Sequence, residues 1–378
     1  MMNGELPFII HRSSFVRFEG DWYSQTRTQT MTGTILFVML GLLLLYALMP
    51  KVSQALLEND SKTFSYRDAA ARVAGEVVQL PDGKAGVRAG LAASAAGDTN
   101  GYEVAGRFRF AKAATWVALP GIPIYWDRSA NVAMYKQDVN SGDFFLGTCA
   151  RDAASTDTEV VVDLNVTVPK LIEWGKGIWD SVAVKTAGTV IPNIAAGLSG
   201  QDPGGTGTRF TFSATSEAQK VDALSKQSIP VTVPFIARGR IAIFDIGDNA
   251  ALDISVGLAN ATHATDADSI TESCFLHLDG NALDIYAESD DGTTEVAATD
   301  TTINAVDDTY FEFWIDGRDL ADIQIYINGS LVLASTVFKL DAATGPLKML
   351  LHLEKTTDNT LADVRVEALE AWTMELEA

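Results

Sequence analysis

Beyond Pro50 the chain is written in short apolar runs separated by turn-forming clusters every eight to twelve residues, and few windows keep a helical period for eleven residues. That is the pattern of short antiparallel strands. In the first stretch the runs are Ala74 to Leu80, closed by Pro81-Asp82-Gly83; Gly86 to Ala95, closed by Gly97-Asp98; Glu103 to Ala111; and Pro123 to Asp127. Within Arg107-Phe108-Arg109-Phe110 the alternation puts both phenylalanines on one face and both arginines on the other, so one face packs and one is wet. The alanine and glycine density from Ala85 to Gly97 implies close strand approach or a flexible loop, with too little bulk for a deep pocket.

The strand pattern strengthens from Arg209 onward. Ile323 to Ile327 alternates, Asn328-Gly329 supplies the residues a type I′ turn requires, and Leu331 to Ala334 returns, which predicts a hairpin. Just before it, Phe311, Phe313 and Ile315 share one face and Glu312, Trp314 and Asp316 the other. Further strands are predicted at Ile241 to Ile246, Ala251 to Leu258, Ser273 to His277, Ala282 to Ala287, Leu347 to Leu353 and Val364 to Trp372. About ten strands in some 170 residues suit two packed antiparallel sheets, a β-sandwich or jelly roll.

Ahead of all this, Thr28 to Pro50 carries no charge, and Ile35 to Met49 reads as one apolar helix. A membrane span needs about 17–25 apolar residues, a length this stretch reaches only by borrowing Gly33 and Thr34. Four readings stay open: a membrane anchor, a secretory signal ending near Ser53-Gln54-Ala55, an extension upstream of a start at Met31 or Met49, and a buried helix. The organisation expected is an apolar N-terminal extension (1–50), a small β domain (51–168), a connecting segment (169–208) and a β-sandwich (209–378). In the connecting segment Trp174, Trp179 and Val182 to Val184 form a candidate strand, and Gly200 to Gly207 reads as a flexible turn or linker. The fold class is mainly β, with that apolar helix in front.

Charge sharpens the division. Of the net −21, residues 169–378 hold −19, from 13 basic and 32 acidic side chains. Such a field repels phosphate backbones and speaks against nucleic-acid binding. Two cysteines, Cys149 and Cys274, stand far apart without a CxxC or Cys/His spacing, so neither a disulfide framework nor a structural zinc site is expected. The four histidines, His11, His263, His277 and His352, share no metal-ligand or triad-like pattern, and the last two read as core or edge residues of apolar strands.

Two resemblances enter here. The succession AGEVVQL, AGVRAGLAASAAG, YEVAGRFRFAKA, GIPIYWD, NVAMY and VVVDLNV resembles the phage capsid cement, or decoration, protein family over roughly residues 60–168, most specifically at Gly106-Arg107-Phe108 before Lys112 and at Gly121 to Asp127. It implies a small β-barrel-like domain that sits on an icosahedral shell, ties copies of the major capsid protein together, and clusters with itself as a homotrimer. The layout CFLHLDGNALDIYAESDDGTTEV, YFEFWIDGRDLADIQIYINGSLV and DVRVEALEAW is similar to concanavalin-like lectin/glucanase jelly rolls over about residues 205–378, on strand order more than on a motif.

The chemistry is sparse. Retaining glucanases of that fold place paired carboxylates on one strand, as in E-x-D-x-x-E, and no such spacing occurs; Glu312 and Asp316 read as outward strand residues. No enzymatic activity is expected. Calcium is the one cofactor suggested, since hard cations take oxygens from acidic loops, and Asp266 with Asp268, Asp290 with Asp291, and Asp307 with Asp308 each offer two carboxylates. For all three pairs turn formation is the competing reading. Trp314 is the best candidate for stacking on a sugar, against a place between sheets or at a domain contact. The expected function is a virion surface protein that decorates and stabilises a capsid, with an outward lectin-like module for weak adhesion to host-surface glycan. A membrane-anchored or secreted bacterial protein that binds or cleaves glycan is the alternative.

Overall fold

The computed structural model describes residues 62–138, 141–174, 179–185, 193–196, 208–212, 219–246, 252–263, 267–280, 282–355 and 362–374. The apolar N-terminal segment, with the helix, anchor, signal and start-site readings attached to it, lies outside them. Among the described residues there is no α-helix, and no helix is long and apolar enough to cross a membrane.

Two small antiparallel sheets come first. One has the order Thr63–Arg67, Thr99–Glu103, Ala85–Arg88, Val77–Gln79; the other runs Arg107–Ala111, Glu159–Leu164, Phe144–Cys149, Pro123–Asp127, Val132–Met134. The run from Glu103 to Ala111, expected as a single strand, is broken at Gly106, whose φ of 122° glycine adopts without steric cost. The chain thereby passes from the first sheet to the second. Phe108 and Phe110 face inward as the alternation predicts, while exposed Arg107 and Arg109 reach Asp163 at 2.8 Å and Glu159 at 3.0 Å on the neighbouring strand. Asn165 ties the two sheets together: its Nδ2 donates to the carbonyls of Ala85 and Val104, both at 2.8 Å, and its Oδ1 accepts from the Ala85 amide at 2.9 Å.

The first sheet is organised around a buried carboxylate. Asp68 accepts from the Tyr102 hydroxyl at 2.6 Å, Asn100 Nδ2 at 2.7 Å and Arg72 Nε at 3.1 Å. Burial pushes its pKa up, but these three donors outweigh it and hold the carboxyl below its ordinary value. The bonded form is therefore the ionised one. Its stabilisation is complete above the unfolded-state pKa of about 3.9 and is lost as pH falls through the lower folded-state value. Asp68→Ala is expected to cost roughly 2–3 kcal/mol at neutral pH, because Tyr102 and Asn100 keep buried polar groups without an acceptor. Urea midpoints of wild type and variant measured from pH 7 to pH 3 should converge at the acid end.

The rest of the chain forms two larger antiparallel sheets. The eight-stranded sheet has the order Asn193–Ala196, Thr208–Phe212, Ala362–Thr373, Phe235–Asp245, Thr309–Gly317, Gln324–Ile327, Ser330–Val332, with Ile172–Glu173 also pairing the strand Ala362–Thr373. The seven-stranded sheet has the order Trp179–Lys185, Gln219–Ser225, Lys348–Lys355, Leu252–Ala259, Ser273–Asp279, Asp284–Asp290, Glu295–Asn304. Three strands of the segment expected to be connecting, 169–208, are thus members of the sandwich sheets. The Gly200 to Gly207 stretch, read as a linker, lies outside the described residues. The predicted hairpin is present, with Asn328 and Gly329 at φ 50° and 77°, the left-handed pair that a type I′ turn demands.

Between these sheets lies the main core. Phe311, Phe313 and Ile315 from one sheet face Ile254, Val256, Leu276, Leu278, Leu351 and Leu353 from the other, all buried. Both cysteines are free and buried.

The outer face of the eight-stranded sheet is where the structure departs most from the sequence. Trp314, Tyr326, Trp372 and Ile236 are buried there in a second core shared with Trp116, Leu119, Tyr135 and Trp126 of the small domain. Trp314 meets Tyr135 edge-on at 5.8 Å between ring centroids and Tyr326 at 5.9 Å. The Val117 amide donates to the Gly329 carbonyl at 2.7 Å, and Trp372 Nε1 to the Pro120 carbonyl at 3.3 Å. Gly121 is required at this seam: its φ is 87°, and a Cβ there would stand 2.4 Å from Trp372 Nε1. Beneath the aromatic seam, Arg238 spans Glu312 (2.8 and 2.7 Å) and Glu370 (2.9 Å), Trp314 Nε1 donates to Glu312 at 2.7 Å, and Lys170 also pairs with Glu370. Glu312 and Trp314, with Asp316, do point away from the sandwich core, but a second domain covers them.

Candidate functional site

With the eight-stranded sheet capped by the small domain, the polar face of the seven-stranded sheet is the one that gathers titratable groups. Strand alternation creates it. Ile254, Val256 and Leu258, and Cys274, Leu276 and Leu278, point into the core, which turns Asp253 and Ser255, and Phe275, His277 and Asp279, to the other side. The antiparallel register sets Asp253 opposite Asp279, and sets Ser255 between His277 on one side and His352 on the other. A single 3-10 turn, Ala267–Ser269, is held over this face because Ala267 and Ile270 pack on Phe275, Leu350 and Ala259. That turn delivers Asp268.

His277 is the centre of the group, with only 8% of its surface exposed. Its Nε2 lies 3.1 Å from Asp253 and 3.3 Å from Asp279, and its Nδ1 lies 3.3 Å from Asp268 and 3.5 Å from Glu288. Neither nitrogen makes a hydrogen bond of good geometry to any of them. Burial works against a charged imidazole, but Asp253, Glu288 and Asp268 outweigh it and raise the pKa to about 11. Asp268, driven first by burial and then by the neighbouring Glu288 charge, is pushed up to about 7, with His277 pulling the other way. The pocket is overloaded with negative charge: four carboxylates surround one imidazole.

A second histidine lies two strands away. His352 is fully buried, with Nδ1 2.7 Å from Asp222; burial lowers its pKa, and Asp222 and Glu354 more than reverse that, to about 9. Lys220 closes this end, 2.9 Å from Asp222 and bonded to the His263 carbonyl. No hydroxyl or thiol bonded to His352 stands in a nucleophile's position among the described residues; Nδ1 with Asp222 is a buried ion pair, while Nε2 stands 3.5 Å from Glu354 without a hydrogen bond.

The candidates raised by the sequence separate clearly. Trp314 is fully buried at the seam, with its indole N–H committed to Glu312, which corrects its expected role as a sugar-stacking platform. Asp290 and Asp291 form a turn: Asp290 accepts from the Gly292 amide at 2.8 Å, and Asp291 from Thr293 and Thr294 at 2.9 and 2.6 Å. With Asp291 only 1% exposed and its carboxylate aimed at those amides, the pair is not arranged as a calcium loop. Asp266 lies outside the described residues. Asp268 does sit in a ligand-like group, but with Asp253 and His277, which the sequence did not connect to it. The available clue was phase: His277 falls in step with Asp279, opposite to Leu276 and Leu278, and so belongs to the polar face.

Two small antiparallel sheets seated on the outer face of an antiparallel β-sandwich define an all-β protein. Its first domain is recognisable: residues 58–164 match the family model described as phage cement protein. The same fragments that carried the resemblance, from AGEVVQL to VVVDLNV, are the strands and turns of that domain. No curated protein matches the chain. Among solved structures, the chain is similar to the carbohydrate recognition domain of Emp47p at 11% identity, with 55% of this chain and 95% of that one covered and a TM-score of 0.38. It is also similar to the carbohydrate esterase vb_24B_21 of Shiga toxin-encoding bacteriophage phi24B, at 12% identity, with 55% and 100% covered and a TM-score of 0.35. The sandwich fold itself rests on the strand pairing described above.

Proposed function

We propose that the protein is a non-enzymatic decoration protein of a phage capsid, with its small domain bound to the shell and its sandwich carried outward. The match of residues 58–164 to the phage cement protein family carries this reading. The surface of that domain supports a place for the contact. Its aromatic core faces the sandwich, whereas Leu91 is fully exposed and Val73 and Phe64 are 58% and 37% exposed. Leu91 and Val73 belong to one tip, because Arg72 and Ser94 are bridged. The tip is small and apolar, suited to a shallow pocket between shell subunits, and the many copies on a regular lattice turn modest single-site affinity into firm attachment. The major capsid protein is the proposed partner, and a homotrimer at a local three-fold is the proposed arrangement.

For the sandwich, weak adhesion to host-surface glycan or simple reinforcement of the shell is proposed, without catalysis. Its acidic surface keeps it clear of nucleic acid and outside the shell. Co-sedimentation with expanded, empty capsids tests the reading. Wild type is expected to pellet with shells to saturation, and Leu91→Asp to bind at least about tenfold more weakly, given the roughly 1.5–3 kcal/mol that burying one leucine is worth. A protein absent from purified particles and found instead with host membranes would overturn it, as would polysaccharide hydrolysis abolished by one carboxylate substitution.

A further inference from the structure

We propose that Asp253, Asp268 and His277 form a binding site for one divalent d-block cation of the zinc class, using a carboxylate oxygen from each aspartate and one imidazole nitrogen. The three ligand atoms lie within 4.8 Å of one another. The acidic groups alone would not make a site. What points to a cation is the imidazole: it is buried, four carboxylates stand 3.1–3.5 Å from its two nitrogens, and none is placed along a hydrogen-bonding direction. Buried polar groups are nearly always satisfied, so a ring held this way is waiting for a partner other than those carboxylates.

The spacing fits such a partner. A tetrahedral zinc ion with nitrogen and oxygen donors at about 2.0–2.1 Å holds those donors about 3.3–3.4 Å apart. His277 Nε2 stands 3.1 Å from Asp253, near that separation, whereas Asp268 lies 3.3 Å from the other ring nitrogen and, with all three ligand atoms inside 4.8 Å, closes the set by a turn of its exposed side chain. Once one ring nitrogen is bound to metal, the other carries the proton and needs an acceptor. Glu288 beside Nδ1 and Asp279 beside Nε2 place a carboxylate at either nitrogen, the usual support for a metal-bound histidine. Calcium fits less well, because it takes six to eight oxygens and imidazole suits softer ions. The Asp268 and Asp279 side chains, 40% and 56% exposed, bring the cluster to solvent.

The test needs only the purified full-length chain, so its outcome is independent of whether the protein binds capsids. After dialysis against a chelator, calorimetric titration with zinc chloride should show one saturable site per chain, and cobalt(II) in its place should give the intense visible absorption of a tetrahedral nitrogen and oxygen site. His277→Gln and Asp253→Asn should each weaken zinc binding by roughly a hundredfold or more. Because His277 is buried, Asp268→Asn on the exposed turn serves as the second variant: its circular dichroism should match wild type while its zinc affinity falls. Absence of saturable zinc binding overturns the proposal. So does zinc affinity unchanged in Asp268→Asn, or calcium binding in preference to zinc that survives His277→Gln.

Discussion

Replacing Arg238 with methionine is expected to cost about 3–5 kcal/mol of folding stability at neutral pH. Arg238 is the cation that Glu312 and Glu370 share beneath the aromatic seam, and all three are nearly inaccessible, at 5%, 1% and 3% exposure. Removing it strands Glu312 without a cation and leaves Glu370 only Lys170. The pKa directions fix the sign of the pH dependence. Burial raises Glu370, but Arg238 and Lys170 more than offset that and hold it below its ordinary value, so in wild type its contribution is complete above about pH 4.3 and fades on acidification. In the variant Glu370 keeps only Lys170 against the burial that pushes its pKa up. The deficit should therefore shrink between pH 7 and pH 4, as read from urea midpoints. A companion variant with Arg238→Met, Glu312→Leu and Glu370→Leu together should recover most of the loss, since apolar groups of similar size can replace a buried ion cluster at little cost. A deficit under about 1 kcal/mol in the single variant would show that the network contributes little.

Trp314→Ala should be comparably damaging, at about 3–5 kcal/mol, and different in kind. The indole fills the space between the two domains, against Tyr135 on one side and Tyr326 on the other, and donates to Glu312. Its removal opens a cavity at the seam itself and takes one of two donors from Glu312 Oε1, which keeps Arg238 Nε at 2.8 Å. Calorimetry should then resolve two transitions, one for the small domain and one for the sandwich, where wild type gives one. The exposed part of the contact will not compensate. Arg318 does bridge Asp152 of the small domain and Asp316 of the sheet, at 2.8 and 2.6 Å, but Asp152 is 57% exposed and such pairs are worth little in water.

What was legible in the sequence follows from which information is local. The hairpin at 323–334 could be read because Asn328-Gly329 specifies its turn. The faces of 107–110 and 311–316 could be read because side chains alternate along any strand. The same alternation assigned Glu312, Trp314 and Asp316 correctly to the face away from the sandwich core, yet nothing local says what lies against that face. Here it is another domain, joined through residues some two hundred positions earlier. The strand at 179–185 was legible as a candidate from Trp179 and Val182 to Val184, but its partner was not, and the short strands at 172–173 and 193–196 were hidden, since all three pair with strands later in the chain: Ile172 with Ala371, Trp179 with Ser225 and Asn193 with Thr211. Asp253 and His277 carry no motif, and only the register between their strands, with a turn laid over them, brings Asp268 alongside. The phage cement resemblance succeeded where physics alone was silent, because it depends on a succession of short fragments and not on their partners in space.

The shared aromatic layer has a practical corollary for anyone who wishes to borrow the cement-like part alone as a display platform. Severing the polypeptide near residue 168 would leave Trp116, Leu119 and Tyr135 facing solvent, a greasy scar on a pair of small sheets. Such a fragment should clump in solution unless those positions are repainted with polar residues, so cargo is better grafted onto the far loops of the intact molecule than spliced in at the waist.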